Sequence, residues 1–197
     1  MRVELVSVGT ELLLGDIVNT NTAYLSKELA ALGIGVYRHT TVGDNHDRLI
    51  DTLNTAFSEN DTVIITGGLG PTDDDITKEC AAEYFGRDFY FHEYSWVKIL
   101  ERIARSGMST VTNNNKKQAM IPDGAIVLEN FCGTAPGIIL EEANKRIILE
   151  GDIPSPIDPP PVCRFKGRCR YDKVICGQEE TKMKELGEGH FRACQLF

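Results

Sequence analysis

Three glycines and three consecutive aspartates follow a short apolar run near the middle of this sequence. The run Thr62–Thr66 reads TVIIT, and GGLGPTDDD occupies 67–75 directly after it. Glycine tolerates positive φ and lets a ligand approach the backbone closely, so the amides of this turn can cradle a phosphate ahead of a helix. The residues that this motif places beside such a ligand are Gly67, Gly68, Leu69, Gly70, Thr72 and Thr77.

The aspartates in this motif exceed what the start of a helix requires. A helix is predicted from about residue 75 to residue 85, and one aspartate would cap its first turn and complement its dipole. Three in a row indicate a further role, either binding of a divalent cation such as Mg²⁺ that bridges phosphates or polar recognition of a ring. The helix prediction places Asp74 and Asp75 in the first turn.

Two more polar loops follow predicted strands. They read VGTELLLGDIVNTN at 8–21 and VGDN at 42–45. Each polar residue taken singly is typical of a turn or a helix cap. However, ligands of parallel sheets bind where loops gather outside the carboxyl ends of the strands. The shared position therefore favours a ligand site that includes Thr10, Glu11, Asp16, Asn19, Asn21 and Asp44.

Strands and helices must alternate to bring these loops together. Alternating and short β-branched runs predict strands over 2–8, 35–42, 62–66, 125–128, 137–140 and 146–149. Apolar residues at helical spacing predict helices over 21–32, 47–57, 75–85 and 93–105. This order is typical of an α/β domain with a mostly parallel sheet covered on both faces, and we assign it residues 1–150.

Composition narrows the class of protein. The 197 residues are 42% hydrophobic and 25% charged, which is ordinary for a soluble globular domain. A net charge of -8 and a pI of about 5.0 argue against a nucleic-acid partner, which would need a basic surface. No apolar run is long enough to span a membrane, and no signal-peptide pattern precedes the first strand, so a cytoplasmic location is expected.

The composition changes after residue 150. Five of the eight prolines fall within 151–165, so 151–162 is predicted to be a stiff, extended connector. Clustered cysteines in a cytosolic chain favour a metal site over disulfides, and the candidate ligands in the tail 163–197 are Cys163, Cys169, Cys176 and Cys194. Four thiolates suit a [4Fe-4S] cluster. Zinc is the alternative, although the C-x2-C pair of common zinc sites is missing.

Several stretches of the first 149 residues resemble one family. They are SVGTELLLGDIVNTNTAYLSKELAALGI, VGDN, TGGLGPTDDDITKE, NNNKKQAMIPDGAIVLEN and GTAPGIIL. The resemblance is to the molybdopterin-binding domain superfamily, and within it to the amino-terminal domain of the CinA (competence/damage-inducible) family. It implies a three-layer α/β/α fold, a pocket for a phosphorylated pterin or nucleotide, and assembly into a homo-oligomer.

The same resemblance implies an activity. CinA-type domains are associated with metal-dependent hydrolysis of ADP-ribose at its pyrophosphate, whereas other members of the superfamily adenylylate molybdopterin. By position, Asp44 and Asp75 match the acidic active-site residues, and Asp74 joins them as an implied metal-binding and catalytic group. The glycine turn matches the phosphate-facing loop, and a second pocket loop is matched by Gly133, Thr134, Pro136 and Gly137.

The chain departs from the family pattern at residue 150. It reads EGDIPSPIDPPP where relatives continue into a PGxPxE-like loop that closes one side of the pocket. This departure favours a third alternative, a module that binds its ligand without turnover.

The tail has a resemblance of its own. The carboxyl-terminal extension of oligopeptide/dipeptide ABC transporter ATP-binding subunits, which resembles an iron–sulfur-binding element, is similar to RIILEGDIPSPIDPPPVCRFKGRCRYDKVICGQEETKMKELGEGHFRACQLF. It implies a transporter partner for the tail, although the sequence has no GxxxxGK[ST] loop for ATP. Two resemblances in one chain indicate a fusion, with its junction near 146–151.

Overall fold

A computed structural model describes residues 1–105, 114–131, 133–151, 184–187, 190–192 and 194. The chain divides into two units, Met1–Asp152 and Ile153–Phe197. In chain order the elements are β1 (Val3–Val8), α1 (Thr10–Leu14), α2 (Thr20–Ala31), β2 (Val36–Val42), α3 (His46–Glu59), β3 (Thr62–Thr66), α4 (Thr77–Tyr84), β4 (Phe89–Phe91), α5 (Glu93–Arg105), α6 (Asn114–Gln118), β5 (Met120–Pro122), β6 (Ile126–Leu128), β7 (Gly137–Glu142), β8 (Lys145–Leu149), β9 (Lys184–Gly187) and β10 (His190–Arg192). None of the described helices combines the length and the apolar character that a membrane crossing requires.

A six-stranded sheet forms the centre of the first unit, in the order β2-β1-β3-β8-β7-β6. The strands β2, β1, β3 and β8 run parallel, while β7 is antiparallel to both β8 and β6. The predicted mostly parallel sheet is therefore confirmed. Because β1 and β3 lie inside the sheet, they are buried along their whole length, which explains why most of their residues are apolar.

Helices cover both faces of this sheet. Side chains alternate between the two faces along a strand. On one face, Val3 and Leu5 of β1 cluster with Leu25 of α2. On the other face, Val6 of β1 clusters with Leu49 of α3 and with residues of α4. The three-layer α/β/α arrangement implied by the resemblance is thus present.

A smaller group of elements connects α4 to β6. The strands β4 and β5 pair in antiparallel fashion, and Ile99 and Ile103 of α5 cluster with Ala119 after α6. The helix predicted over 93–105 is confirmed. The elements α6, β4 and β5 were not predicted. The α6 sequence NNKKQ has no apolar face, and β4 and β5 have three residues each, without the aliphatic run that indicated β6.

In the second unit the structure describes an antiparallel pair, β9 with β10. Cys194 is partly buried. The other predicted metal ligands, Cys163, Cys169 and Cys176, lie outside the described residues, as does the connector 151–162 apart from Gly151. The metal site and the connector therefore stay predictions.

Candidate phosphate-binding site

The loop after β3 is shaped by two glycines and fastened to the start of α4. Gly67 and Gly68 have φ values of 90° and 65°, a region that glycine enters without steric cost. The hydroxyl of Thr77 donates to the Gly67 carbonyl at 2.9 Å, and the amide of Thr77 donates to the Gly68 carbonyl at 3.1 Å. The buried Leu69 side chain anchors the middle of the loop in the core.

The carbonyl and amide groups of this loop are used differently. Hydrogen bonds are accepted by the carbonyl groups of Gly67, Gly68, Leu69, Thr72 and Asp75. By contrast, no hydrogen bond among the described residues uses the amides of 67–70. Successive amides with left-handed backbone form concavities that bind anions. The loop can therefore offer a row of donors to a phosphate group.

Asp75 closes the far end of the loop. Its Oδ2 atom accepts hydrogen bonds from the amide of Thr72, at 2.9 Å, and from the Thr72 hydroxyl. A Cβ atom on Gly70 would collide with this carboxylate, so glycine at 70 is needed for the approach of Asp75 rather than for a positive φ. Because Asp75 is engaged with Thr72, it does not cap α4. The helix begins at Thr77, later than predicted, with no side-chain cap.

Asp74 contributes negative charge at the surface of the loop. Its side chain is exposed. The nearby polar groups of Thr72 lower the pKa of the Asp74 carboxyl below its usual value, and the charge of Lys117 adds to this in a smaller way. The group is therefore ionised at neutral pH, which favours a cation between this carboxylate and a bound phosphate.

Asp44 connects the loops after β1 and β2. Its Oδ2 atom accepts from the amide and the hydroxyl of Thr10, both at 2.9 Å. Since β1 lies between β2 and β3, roughly 10 Å separates the strand ends that lead to Asp44 and Asp75. Asp44 and Asp75, two of the three predicted catalytic carboxylates, thus lie on the same edge of the sheet but follow strands that are not neighbours.

The other residues predicted in the loop after β1 have different environments. Asn19 stabilises the fold, since its Oδ1 accepts from the Thr22 amide at 3.1 Å and its Nδ2 donates to the Ser7 hydroxyl at 2.8 Å. Glu11 and Asp16 are exposed. Asn19 therefore caps α2, whereas the two acids are exposed to solvent.

Lys117 of α6 braces the loop after β3. Its Nζ atom donates to the Thr72 carbonyl at 2.9 Å and to the Asp75 carbonyl at 2.6 Å. The same ammonium group lies 3.7 Å from a carboxylate oxygen of Glu79. Because its charge is directed to backbone carbonyls and to Glu79, Lys117 holds the loop in this conformation.

The neighbours of Lys117 complete this brace. Gln118 is buried, and its Nε2 donates to the Leu69 carbonyl at 3.3 Å. Lys78 of α4 connects its helix to α6, because its Nζ atom donates to the Lys117 carbonyl at 2.6 Å. Burial lowers the pKa of Lys78 to about 8, so the ammonium form still predominates at neutral pH. The loop is thus fixed to two helices.

Replacement of Lys117 by methionine is expected to loosen the loop. Both carbonyls would lose a charged donor, so exchange of the hydrogen-bonded amides of Thr72, Asp75 and Thr77 should accelerate by about tenfold or more, as measured by mass spectrometry. Lys116→Met is the matched control, because Lys116 is an exposed lysine of the same helix. Equal exchange in the two variants would contradict a bracing role for Lys117.

A cavity of about 210 Å³ lies towards the β6 end of the sheet edge, between the start of α5, the end of β6 and the loop before β7. Three of the predicted pocket residues, Gly133, Thr134 and Pro136, line it. The fourth, Gly137, begins β7, where a Cβ atom would come within 2.9 Å of the Leu149 carbonyl oxygen. Gly137 is therefore needed for strand packing.

Glu150 is a candidate functional residue that the sequence analysis missed. It directly follows β8, the strand between β3 and β7, and its amide donates to the Ile65 carbonyl at 3.0 Å. Burial raises the pKa of its carboxyl. Glu150 therefore sits between the glycine loop and the cavity as a group that holds its proton more readily than an exposed acid. The available signal was its position directly after the strand predicted over 146–149.

Comparison with known proteins identifies relatives along most of the chain. Residues 4–152 match the family model described as probable molybdopterin binding domain. A CinA-like protein of Dictyoglomus turgidum is 51% identical over 194 residues, which cover 94% of this chain and 47% of the relative. A putative competence-damage inducible protein of Alkaliphilus oremlandii is 46% identical with the same coverage. The chain thus spans about half the length of these curated relatives.

A solved structure agrees with these matches. The crystal structure of the protein CinA from Thermoplasma acidophilum, described as having unknown function, has 34% identity and a TM-score of 0.67. The match covers 75% of this chain and 86% of that one.

The match with the Dictyoglomus relative covers more of this chain than residues 4–152, so it extends into the second unit. The transporter resemblance of the tail stays a prediction. The chain belongs to the probable molybdopterin binding domain family, as a CinA-like member.

Proposed function

We propose that this domain binds the phosphates of a nucleotide or of a phosphorylated pterin at the loop after β3, and that it hydrolyses a nucleotide diphosphate of the ADP-ribose type. The supporting observation is the arrangement of residues 67–70. Their amides donate to no described residue, while the carbonyls around them are engaged. Amides bind phosphate oxygens whatever organic group carries them, so this feature supports the chemical class of the ligand.

A divalent ion such as Mg²⁺ would complete the proposed site. Among the described residues, no three side chains of His, Cys, Asp or Glu gather as a ready-made metal cage. Magnesium in phosphate-transfer sites is held by one or two carboxylates together with substrate phosphates and water, so a cage is not required. Asp75 and the ionised Asp74 supply such carboxylates beside the amides. When bound, the ion would polarise the phosphoryl group and make water a better nucleophile.

The protein groups would position the pyrophosphate and stabilise its charge. The amides of 67–70 would hold the phosphoryl oxygens, on which negative charge increases during cleavage. Thr72 orients the carboxylate of Asp75, and Lys117 fixes the carbonyl of the same residue. These groups are held before the substrate binds, so little reorganisation is needed during the reaction.

Adenylyl transfer to molybdopterin is the second candidate, and the matching family description, which names molybdopterin binding, supports the acceptor of that reaction. Product analysis separates the candidates. With ADP-ribose and Mg²⁺, hydrolysis consumes water and yields AMP and ribose 5-phosphate. With ATP and molybdopterin, transfer yields adenylylated molybdopterin and pyrophosphate. Binding of these ligands without any product would instead indicate a non-catalytic module, the alternative that the departure at residue 150 favours.

The proposals for the tail concern a metal site and partners. Its four cysteines, Cys163, Cys169, Cys176 and Cys194, are proposed to bind a [4Fe-4S] cluster, with zinc as the alternative. Assembly into a homo-oligomer and attachment of the tail to a transporter are further proposals, drawn from the resemblances alone. Anaerobic purification followed by iron and zinc analysis distinguishes a cluster from a zinc site.

A further inference from the structure

The cavity near the end of β6 has the size and walls of a site for one flat ring system. Pockets for drug-sized ligands are about 300–1,000 Å³, so a cavity of about 210 Å³ is too small for a complete dinucleotide. Val127, Pro136 and the ring of Tyr94 supply apolar surface on its walls. Such walls favour a planar group that is only partly polar.

The charges at the cavity do not favour a phosphate. Lys98 is a cation on its wall, but its Nζ atom lies 3.4 Å from the carboxylate of Glu101 and 3.8 Å from that of Glu129. The ammonium group also lies 5.4 Å from the centroid of the Tyr94 ring. Since two carboxylates balance this lysine, an anion gains little attraction here. Glu129, which also lines the cavity, already accepts from the Tyr94 hydroxyl at 3.1 Å through Oε1, and its carboxylate can accept a further hydrogen bond from an amino group.

His92 adds a donor to the same wall. The amide and the hydroxyl of Ser95 lie 3.4 Å and 2.7 Å from its Nδ1 atom. An amide can only donate, so Nδ1 is the acceptor, and a neutral imidazole then carries its proton on Nε2. The cavity therefore has an N–H donor on His92 and a carboxylate acceptor on Glu129. Adenine presents the complementary pair, an acceptor ring nitrogen beside an exocyclic amino group, and pterins carry similar groups.

The cavity and the glycine loop are close enough to bind one molecule. Only β8 separates β3 from β7, so roughly 10 Å lies between the loop after β3 and the loop before β7. Asn130 fixes the second loop, because its Oδ1 accepts from the Gly133 amide at 3.1 Å and its Nδ2 donates to the Ala135 carbonyl at 2.7 Å. A ring joined to phosphates through a short linker can reach both.

From these observations we infer that this cavity, with His92 and Glu129 on its wall, is the subsite for the amino-bearing ring, a purine or a pterin, of the molecule whose phosphates bind at 67–70. This inference rests on the proposed function. It assigns ring recognition to α5 and the end of β6, and phosphate recognition to the loop after β3.

Calorimetric titration of the full chain with three probes tests this subsite. The probes are pyrophosphate, ADP-ribose and neopterin, all without added divalent ion so that turnover does not interfere. Glu129→Gln removes the acceptor charge, and about tenfold weaker binding is expected for the probe whose ring enters the cavity, with pyrophosphate unchanged. Glu101→Gln is the matched control, since Glu101 also pairs with Lys98 but does not line the cavity. It should change no affinity.

The outcomes separate failure of the ring subsite from failure of the proposed function. Selective loss of ADP-ribose affinity supports a purine, and selective loss of neopterin affinity supports a pterin. Unchanged affinity in Glu129→Gln, or an equal loss for pyrophosphate, would overturn the ring subsite and leave the phosphate loop standing. If the unmodified chain bound none of the probes either without or with added Mg²⁺, the proposed function itself would fail, and the subsite with it.

Discussion

Asp75→Asn is expected to lower the turnover number for ADP-ribose hydrolysis in the presence of Mg²⁺ by about 100-fold or more. The substitution removes the carboxylate charge that would bind the ion beside the phosphates. It should leave the loop in place, because the oxygen of an asparagine side chain can still accept from the Thr72 amide and hydroxyl. Steady-state kinetics with product analysis, together with a thermal melt of each variant, measures both effects.

Asp73→Asn is the control for this experiment. Asp73 is an exposed member of the same acidic run, and its side chain takes part in no described hydrogen bond or ion pair. The control loses the same formal charge at nearly the same place, so it should keep its turnover. If both variants lost activity equally, the loss of one negative charge anywhere in this acidic run would explain the effect. Full activity in Asp75→Asn would remove Asp75 from the catalytic groups.

Gly67→Ala is expected to cost about 3 kcal/mol or more in the free energy of unfolding, through strain and collision together. A φ of 90° is unfavourable for alanine. In addition, the new Cβ atom would collide with the carbonyl oxygen of Val8, which belongs to the buried strand β1 and has little freedom to move. Urea denaturation of both proteins, extrapolated to water, measures the difference.

Gly86→Ala separates strain from collision. Gly86 has a φ of 60°, and a Cβ atom there would meet nothing within 4 Å. This variant should therefore cost only about 1–2 kcal/mol, the penalty of left-handed backbone for a residue with a side chain. A loss in Gly67→Ala no larger than that in Gly86→Ala would show that the loop is not held against β1 as described.

The main architecture was predictable because its signals are local. The β-branched run Thr62–Thr66 and the helical spacing over 93–105 each reveal an element without knowledge of its neighbours. The start of α4 was placed too early for a physical reason. An aspartate before a helix usually caps it, but here the carboxylate of Asp75 turns back to Thr72.

The candidate site was predictable only where its residues are adjacent in sequence. The glycines and aspartates of 67–75 form one motif, and the structure places them in one loop. Lys117 reaches the Asp75 carbonyl across 42 residues, so no local pattern shows this contact. The same holds for His92, an isolated histidine in sequence, which lines a cavity with Glu129 only because α5 packs near the end of β6.

The proposed function depends on one claim, that the amides of 67–70 hold a phosphate group. Backbone amide resonances recorded by nuclear magnetic resonance during titration with pyrophosphate test it residue by residue. The expected result is a saturable shift of the resonances of residues 67–70, with the amides of the exposed strand end around Tyr37 unchanged. Saturable binding that leaves residues 67–70 unshifted and moves resonances elsewhere would contradict the claim.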